Sequence, residues 1–250
     1  MEFPRKEVDD LIDNSEEIQL QITDWYIHEN DKMREKKSYT EEQDKYTMLI
    51  YGTTSSGITV SVNVTDYEPY FYVKGPDSWD NLSKKQYENK VNELNIKLLE
   101  EKYKCVWNKK EYYKKIIPDY LKDHFNNLTF CRKKEFWGFT NEKLFNYIKV
   151  KTKSLALFNG LKYYFQSLKK DGFKLYESNI DPFLKYIHEI DIKPCGWISI
   201  SDYELSDNDT KSNYNITTNY KNIQALNINK IAPLLIASFD IECTSSHGDF

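Results

Sequence analysis

From Ile18 to His28 the chain reads IQLQITDWYIH, apolar and polar residues alternating for much of its length, which is the pattern of a strand with one buried face. Two further strands, YTMLIYG and ITVSVNV, are separated by Thr53-Thr54-Ser55-Ser56-Gly57, a hairpin-length loop containing Gly. A fourth, YFYVKG, follows Pro69, so the chain opens with a small antiparallel sheet. The period then changes. Tyr87, Val91, Leu94 and Leu98 recur at three- and four-residue spacing, predicting an amphipathic helix between about Asn81 and Cys105 with Ser83 near its cap. Residues 106–129 are rich in Lys and Tyr and carry no clear period, and Pro118 interrupts any long helix there. A strand over Leu144 to Lys151 feeds a helix over Ser154 to Lys169, which ends at Asp171-Gly172. A short helix follows with Asp181 as cap and Pro182 at its first position, and then a strand, CGWISI. Strands with interposed helices predict an α+β domain over 17–205 after a frayed tail over 1–16. Residues 206–230 begin with a stretch nearly devoid of apolar side chains and read as a linker or excursion. Beyond them IAPLLIASFDIEC suits a strand buried on both faces, the start of a second, α/β domain over 231–250.

Composition changes this picture little until charge is resolved along the chain. The net charge is −4, yet residues 1–44 hold fourteen Asp/Glu against six Lys/Arg, and residues 101–174 hold eighteen Lys/Arg against seven Asp/Glu. The basic middle is interleaved with Phe130, Phe136, Trp137, Phe139, Tyr147, Tyr163, Tyr164 and Phe165. Cations that neutralise phosphates beside rings that stack on bases are what a single-stranded nucleic acid requires. Arg132, Lys133, Lys134, Lys149, Lys151 and Lys153 are the candidate phosphate ligands, with Tyr70 and Tyr72 as candidate stacking rings. A solvated helix face and ordinary strand packing account for the same residues equally well. The four cysteines and four histidines form no zinc pattern, no signal-peptide core opens the chain, and no apolar run is long enough for a membrane span, which points to an intracellular protein.

The residues with the clearest chemistry are Asp240 and Glu242. In a strand they share one face, with Phe239 and Ile241 on the other. Two carboxylates about 7 Å apart suit hard divalent cations of the Mg²⁺ class, and two-metal nucleases hold their ions this way. A bare D-x-E is common, and on its own it is more often a solvated strand end.

The residues around the pair add more. Ile231 to Phe250, I-A-P-L-L-I-A-S-F-D-I-E-C-x4-G-x-F, resembles the first exonuclease motif of family B DNA polymerases, most of all the delta catalytic subunit and its large-DNA-virus relatives. Y-E-S-N-I-D at Tyr176 to Asp181 and V-T-D-Y-E-P-Y-F-Y-V at Val64 to Val73 resemble earlier blocks of the same family, in the same order. The resemblance implies an N-terminal domain containing an open barrel and an RNA-recognition-like fold, followed by the first strand of an RNase H-like 3′→5′ exonuclease domain. It implies that Asp240 and Glu242 are catalytic, Mg²⁺-binding carboxylates whose site is completed by later motifs, so that residues 1–250 alone are inactive. The whole protein would extend primer-template DNA from dNTPs, proofread it, and work with a sliding clamp in the nucleus or at a cytoplasmic viral replication site. The RNP-type aromatic signature is absent, so RNA binding is not expected. Two other readings remain at this point, a non-catalytic single-strand binding module and a stand-alone RNase H-like exonuclease.

Overall fold

A computed structural model describes residues 17–27, 45–107, 110–135, 140–207, 210–234, 236 and 238. Its first unit is a curled mixed sheet. Strands β1 (Ile18–Ile27), β2 (Met48–Thr54) and β3 (Thr59–Thr65) form an antiparallel meander, and the full order is β11-β12-β3-β2-β1-β10-β13. The four late strands are β10 (Trp197–Ile200), β11 (Tyr203–Leu205), β12 (Tyr214–Asn219) and β13 (Ile223–Leu226).

The curl follows from how these late strands are joined. β10 runs through Ser201-Asp202 into β11, and β12 runs through the short 3-10 turn Tyr220–Asn222 into β13. The two runs pair antiparallel, Trp197 with Leu226 through Ile200 with Ile223, then Tyr203 with Thr218 through Leu205 with Ile216. Ser201 N bridges the break by donating to Asn222 O at 3.1 Å, and Asp202, at φ 53°, takes the kink. Because β10 also pairs with β1 and β12 pairs in parallel with β3, the two ends of the sheet meet. A register shift between Ile22 and Asp24 supplies local bending, as a bulge does. The concave side is filled by Leu20, Ile22, Met48, Ile50, Val60, Val62, Ile198 and Ile216, all at 1% exposure or less. At roughly 1.5–3 kcal/mol for each fully buried aliphatic side chain, this packing dominates the unit. Gly52 has no room for more than hydrogen, since a Cβ there would lie 2.3 Å from Leu20 Cδ1 and 2.8 Å from Gln21 O.

Residues 206–230, expected to be a linker or excursion, instead supply β12 and β13 to this sheet. The polar composition hid them. Ile216 and Thr218 point inward with a period of two, and the neighbouring amides bond across the sheet, Asn213 Oδ1 accepting from Thr59 N at 3.0 Å and Oγ1 at 2.7 Å. The strand expected over 231–243 falls largely outside the described residues. Of the part that is described, residues 231–234 have no regular structure and Ile231 is 79% exposed.

The second unit, residues 70–176, lies in sequence between β3 and β10. It runs β4 (Tyr70–Lys74), α1 (Lys84–Glu100), a hairpin of β5 (Lys102–Trp107) and β6 (Lys110–Lys115), β7 (Thr129–Lys134), β8 (Leu144–Lys151), α2 (Leu155–Ser167) and β9 (Lys174–Tyr176). Without the hairpin this is a βαββαβ plan, with antiparallel strands ordered β7-β8-β4-β9. The hairpin occupies the stretch in which no period was visible. α1 starts at Ser83 through a capping box with Gln86, and the helical run after α2 stops at Gly172, φ 90°. Both helices pack on one side of the sheet. Phe71, Val73, Ile148 and Val150 meet Tyr87, Val91 and Leu98 of α1 and Leu157, Phe158 and Phe165 of α2. α3 (Pro182–Glu189), capped by Asp181, places Tyr186 and Ile187 in the core of the curled sheet. No helix of the described residues is long and apolar enough to cross a membrane.

Candidate nucleic-acid interface

With the helices on one face of the four-stranded sheet, strand alternation assigns every second residue to the other face. Tyr70, Tyr72 and Lys74 of β4, Phe145, Tyr147, Lys149 and Lys151 of β8, Cys131 and Lys133 of β7, and Tyr176 of β9 share that face. Register sets Lys149 opposite Tyr72, Lys151 opposite Tyr70, and Tyr176 on the other side of Tyr72. The rings meet edge to face, Tyr70 with Tyr72 at 5.5 Å, Tyr72 with Tyr147 at 6.4 Å and Tyr147 with Tyr176 at 5.3 Å between centroids.

Cations lie over these rings. Lys149 Nζ is 3.8 Å from the Tyr70 centroid, Lys185 Nζ is 3.7 Å from the same ring, and Lys133 Nζ is 5.6 Å from Tyr72. Lys185 reaches in from α3. It is 7% exposed, donates to Tyr70 O at 3.1 Å and pairs with Glu177 Oε2 at 2.6 Å. Glu177 itself adopts φ 57°, rare for a residue with a side chain, at the turn that brings its carboxylate back to Lys185. Burial pulls both amines below the usual lysine range; for Lys149 the neighbouring Lys151 and Lys133 push the same way, and for Lys185 Glu177 opposes it. A group so disposed gains from an anion brought alongside.

The face opens into a groove of about 810 Å³ lined by Tyr72, Tyr147, Tyr176, Lys133 and the 177–180 segment. Tyr70 is not part of its wall. At 8% exposure, under Lys149 and Lys185 and bonded through its hydroxyl to Glu189, it is a packed ring. Tyr72 is packed as well, at 7%, but keeps an edge on the groove.

The six basic candidates separate. Lys133 and Lys149 are brought together on the tyrosine face. Lys151 also lies there but is held by Glu68 at 2.8 Å, and Lys134 is paired with Glu142. Lys153 lies beyond the strand and lines a separate cleft with Lys45, Asp66 and Glu68. Arg132 points to the helix side, its guanidinium near Leu144 O at 3.5 Å. Phe136, Trp137 and Phe139 are outside the described residues, as are Asp240 and Glu242. Among the described residues no cluster of three or more His, Cys, Asp or Glu is poised to hold a metal. Tyr147 was among the aromatics interleaved with the basic stretch, whereas Tyr176, Glu177 and Lys185 were not singled out as site residues by sequence reasoning; the period-two reading of β8 from Lys149 backwards also arrives at Tyr147.

Burial raises the Tyr72, Tyr87 and Tyr164 phenols to about 12. An unfolded phenol ionises near about 10, so the stability these neutral rings contribute is complete below that pH and is lost as pH rises through the folded values. An alkaline titration followed by phenolate absorbance and circular dichroism should show a late phenolate component that appears together with unfolding. Complete ionisation by about pH 10 with the fold intact would count against it.

Comparison with known proteins places these observations in a family. Residues 173–250 match the DNA polymerase family B exonuclease domain. The DNA polymerase of Pyramimonas orientalis virus is 36% identical over 250 residues, 96% of this chain and 18% of that protein. That of Acanthamoeba polyphaga mimivirus is 29% identical, over 96% of this chain and 13% of its own length. The DNA polymerase delta catalytic subunit of Plasmodium falciparum is 28% identical over 80% of this chain. This chain therefore spans less than a fifth of the length of these curated relatives. The structure of the family B DNA polymerase from the hyperthermophilic archaeon Pyrobaculum calidifontis superposes with a TM-score of 0.52 at 12% identity, over 87% of this chain and 21% of that one, a likeness of fold.

Proposed function

We propose that this chain is an N-terminal region of a family B DNA polymerase of the large-DNA-virus type, the template-side part of a replicative DNA-directed DNA polymerase that proofreads its product with a 3′→5′ exonuclease. The observation that carries the reading is the family match from residue 173 through Asp240 and Glu242, joined to similarity over nearly the whole chain. Asp240 and Glu242 are the proposed Mg²⁺ ligands of the exonuclease, whose domain begins at about residue 231 and takes further carboxylates from later in the protein. Mg²⁺ bound there would supply activated water and charge stabilisation at the scissile phosphate. dNTPs, primer-template DNA and a sliding clamp are the proposed partners of the whole polymerase, at a nuclear or cytoplasmic replication site.

Within this chain the curled sheet is read as the open barrel of such polymerases, and the βαββαβ unit as their RNA-recognition-like fold. The element order and the meeting of the sheet's two ends support both assignments. Single-stranded DNA is the proposed ligand of the tyrosine face, with Lys133 and Lys149 on phosphates and the half-buried Tyr176 against a base, while Tyr72 and Tyr147, at 7% and 3% exposure, form the packed floor beneath it. Tyr70 holds Lys149 and Lys185 in place rather than stacking itself.

The test is an exonuclease and primer-extension assay with Mg²⁺ on this chain beside the longest product of its gene, together with single-strand binding by both. Activity confined to the longer product, with single-strand binding already present in this chain, is expected. Exonuclease activity of the 250-residue chain alone would favour a self-contained nuclease. Binding without activity in either product would favour a non-catalytic module. Lys133→Gln with Lys149→Gln should lower the salt slope of binding by about 0.7 for each single-strand phosphate left without its cation.

A further inference from the structure

The β7–β8 hairpin carries a second cavity on its helix side, and no part of the function described so far uses it. The cavity, of about 390 Å³, is walled on one side by Asp80 to Lys84, the segment that leads into α1, and on the other by Phe130, Arg132 and the Lys143 to Asn146 stretch. Among the described residues neither Arg132 nor Lys143 has a carboxylate within ion-pair distance. Lys143 lies 5.3 Å over the Phe145 ring, and Arg132 has only a long contact with a backbone carbonyl. Lys84 on the facing wall is loosely paired with Glu88 at 3.7 Å, and Asp80 is the one acid lining the cavity.

We propose that this cavity is a phosphate site for a single nucleic-acid strand that leaves the tyrosine groove, crosses the outer edge of β7 and continues on the helix side. The inference rests on the reading of the tyrosine face as a single-strand surface and extends it around the sheet edge. β7 is the last strand of its sheet, and its consecutive Arg132 and Lys133 project to opposite sides of that edge, while Lys134 at the strand's end is paired with Glu142. The first groove takes Lys133 and Lys134, and the second cavity takes Arg132. Phe145 lines the second cavity and packs against the tyrosine cluster that floors the first. Cations on both flanks of one exposed strand edge form a charged track for a phosphate-bearing polymer. A guanidinium forks onto phosphate oxygens and an ammonium adds a point charge, so Arg132 and Lys143 together suit one phosphodiester. Asp80, on the far wall, keeps that phosphate to the Arg132 side.

The experiment compares two oligothymidylates, of about four and about twelve nucleotides, within the range of single-strand site sizes, binding to the 250-residue chain and its variants. Arg132→Gln with Lys143→Gln should weaken the longer oligomer about tenfold at low salt and lower its salt slope by about 0.7, one phosphate on a single strand, while the shorter binds as before. Arg132→Lys with Lys143→Arg keeps both charges and should restore the slope. Asp80→Asn should tighten the longer oligomer a few-fold, by roughly the relief of one nearby like charge, a gain that a purely structural role for this cavity does not produce. Equal losses on both lengths, or no gain from Asp80→Asn, would overturn the second site while leaving the tyrosine face standing. Failure of the unaltered chain to bind either oligomer would overturn the underlying reading and this one with it.

Discussion

Asp240→Ala with Glu242→Ala, placed in the full-length product of the gene, is expected to lower 3′→5′ excision of a mismatched end by about a thousandfold or more while leaving primer extension close to unaltered. The magnitude follows from the work assigned to such carboxylates. Two-metal sites supply the activated water and the charge stabilisation at the leaving oxygen, several kcal/mol of barrier. Alanine at both positions would remove the two proposed oxygen ligands without replacing them. Extension should survive because the pair belongs to the family's exonuclease domain, as the match over 173–250 indicates. Parallel assays on matched and mismatched primers separate the outcomes, and joint loss of both activities would make the pair a structural element of the fold.

Phe71→Ala should have the largest effect on stability within this chain, about 3–5 kcal/mol. Phe71 is fully buried in β4, one of the two inner strands of its sheet, with the Phe158 ring 5.2 Å away at 88° and the Phe165 ring at 6.3 Å. Truncation opens a cavity between sheet and α2, where the surrounding rings have little freedom to collapse. Against a typical domain stability of about 5–15 kcal/mol, most of the margin of the βαββαβ unit would go. Single-strand binding should fall with it, because Tyr70 and Tyr72 flank Phe71 on the same strand. Urea unfolding of both forms checks this. A loss below about 1 kcal/mol would mean that the unit tolerates the cavity.

What was legible in the sequence is what local chemistry encodes. Ser83, Asp181-Pro182 and Gly172 cap or stop their helices where they were expected to, because a cap needs only its own few residues. The period of α1, the alternation of β1 and the apolar runs of β2, β3 and β4 were readable for the same reason. Segments whose structure is decided at a distance were not. β12 is made of Asn, Thr and one Ile after its opening Tyr214, and it becomes a strand because β3 and β11 offer it partners. β5 and β6 pair mainly with each other and bury few described side chains, so no period marks them. At the site, Tyr72 and Lys149 could be chosen from the sequence, since they sit on strands of clear alternation. Lys185 could not. A lysine in a short surface helix is normally solvated, and only the combination of Glu177, the Tyr70 carbonyl and the Tyr70 ring makes its burial tolerable. Lys151 and Lys134 failed as free phosphate ligands for the opposite reason, because Glu68 and Glu142, distant or separated in sequence, arrive to neutralise them.

The meeting of the curled sheet's two ends has a consequence for the order of events during synthesis. β1, β2 and β3 leave the ribosome first, but the runs that close their sheet lie at 197–226, after the whole βαββαβ unit. Pairings of such long sequence separation form late, while local helix and strand pairings form early. On a released chain ending near residue 190, protease protection should already cover α1 and α2, with β1 to β3 still cut. The sheet whose strands are begun before the βαββαβ unit would thus be closed only after it.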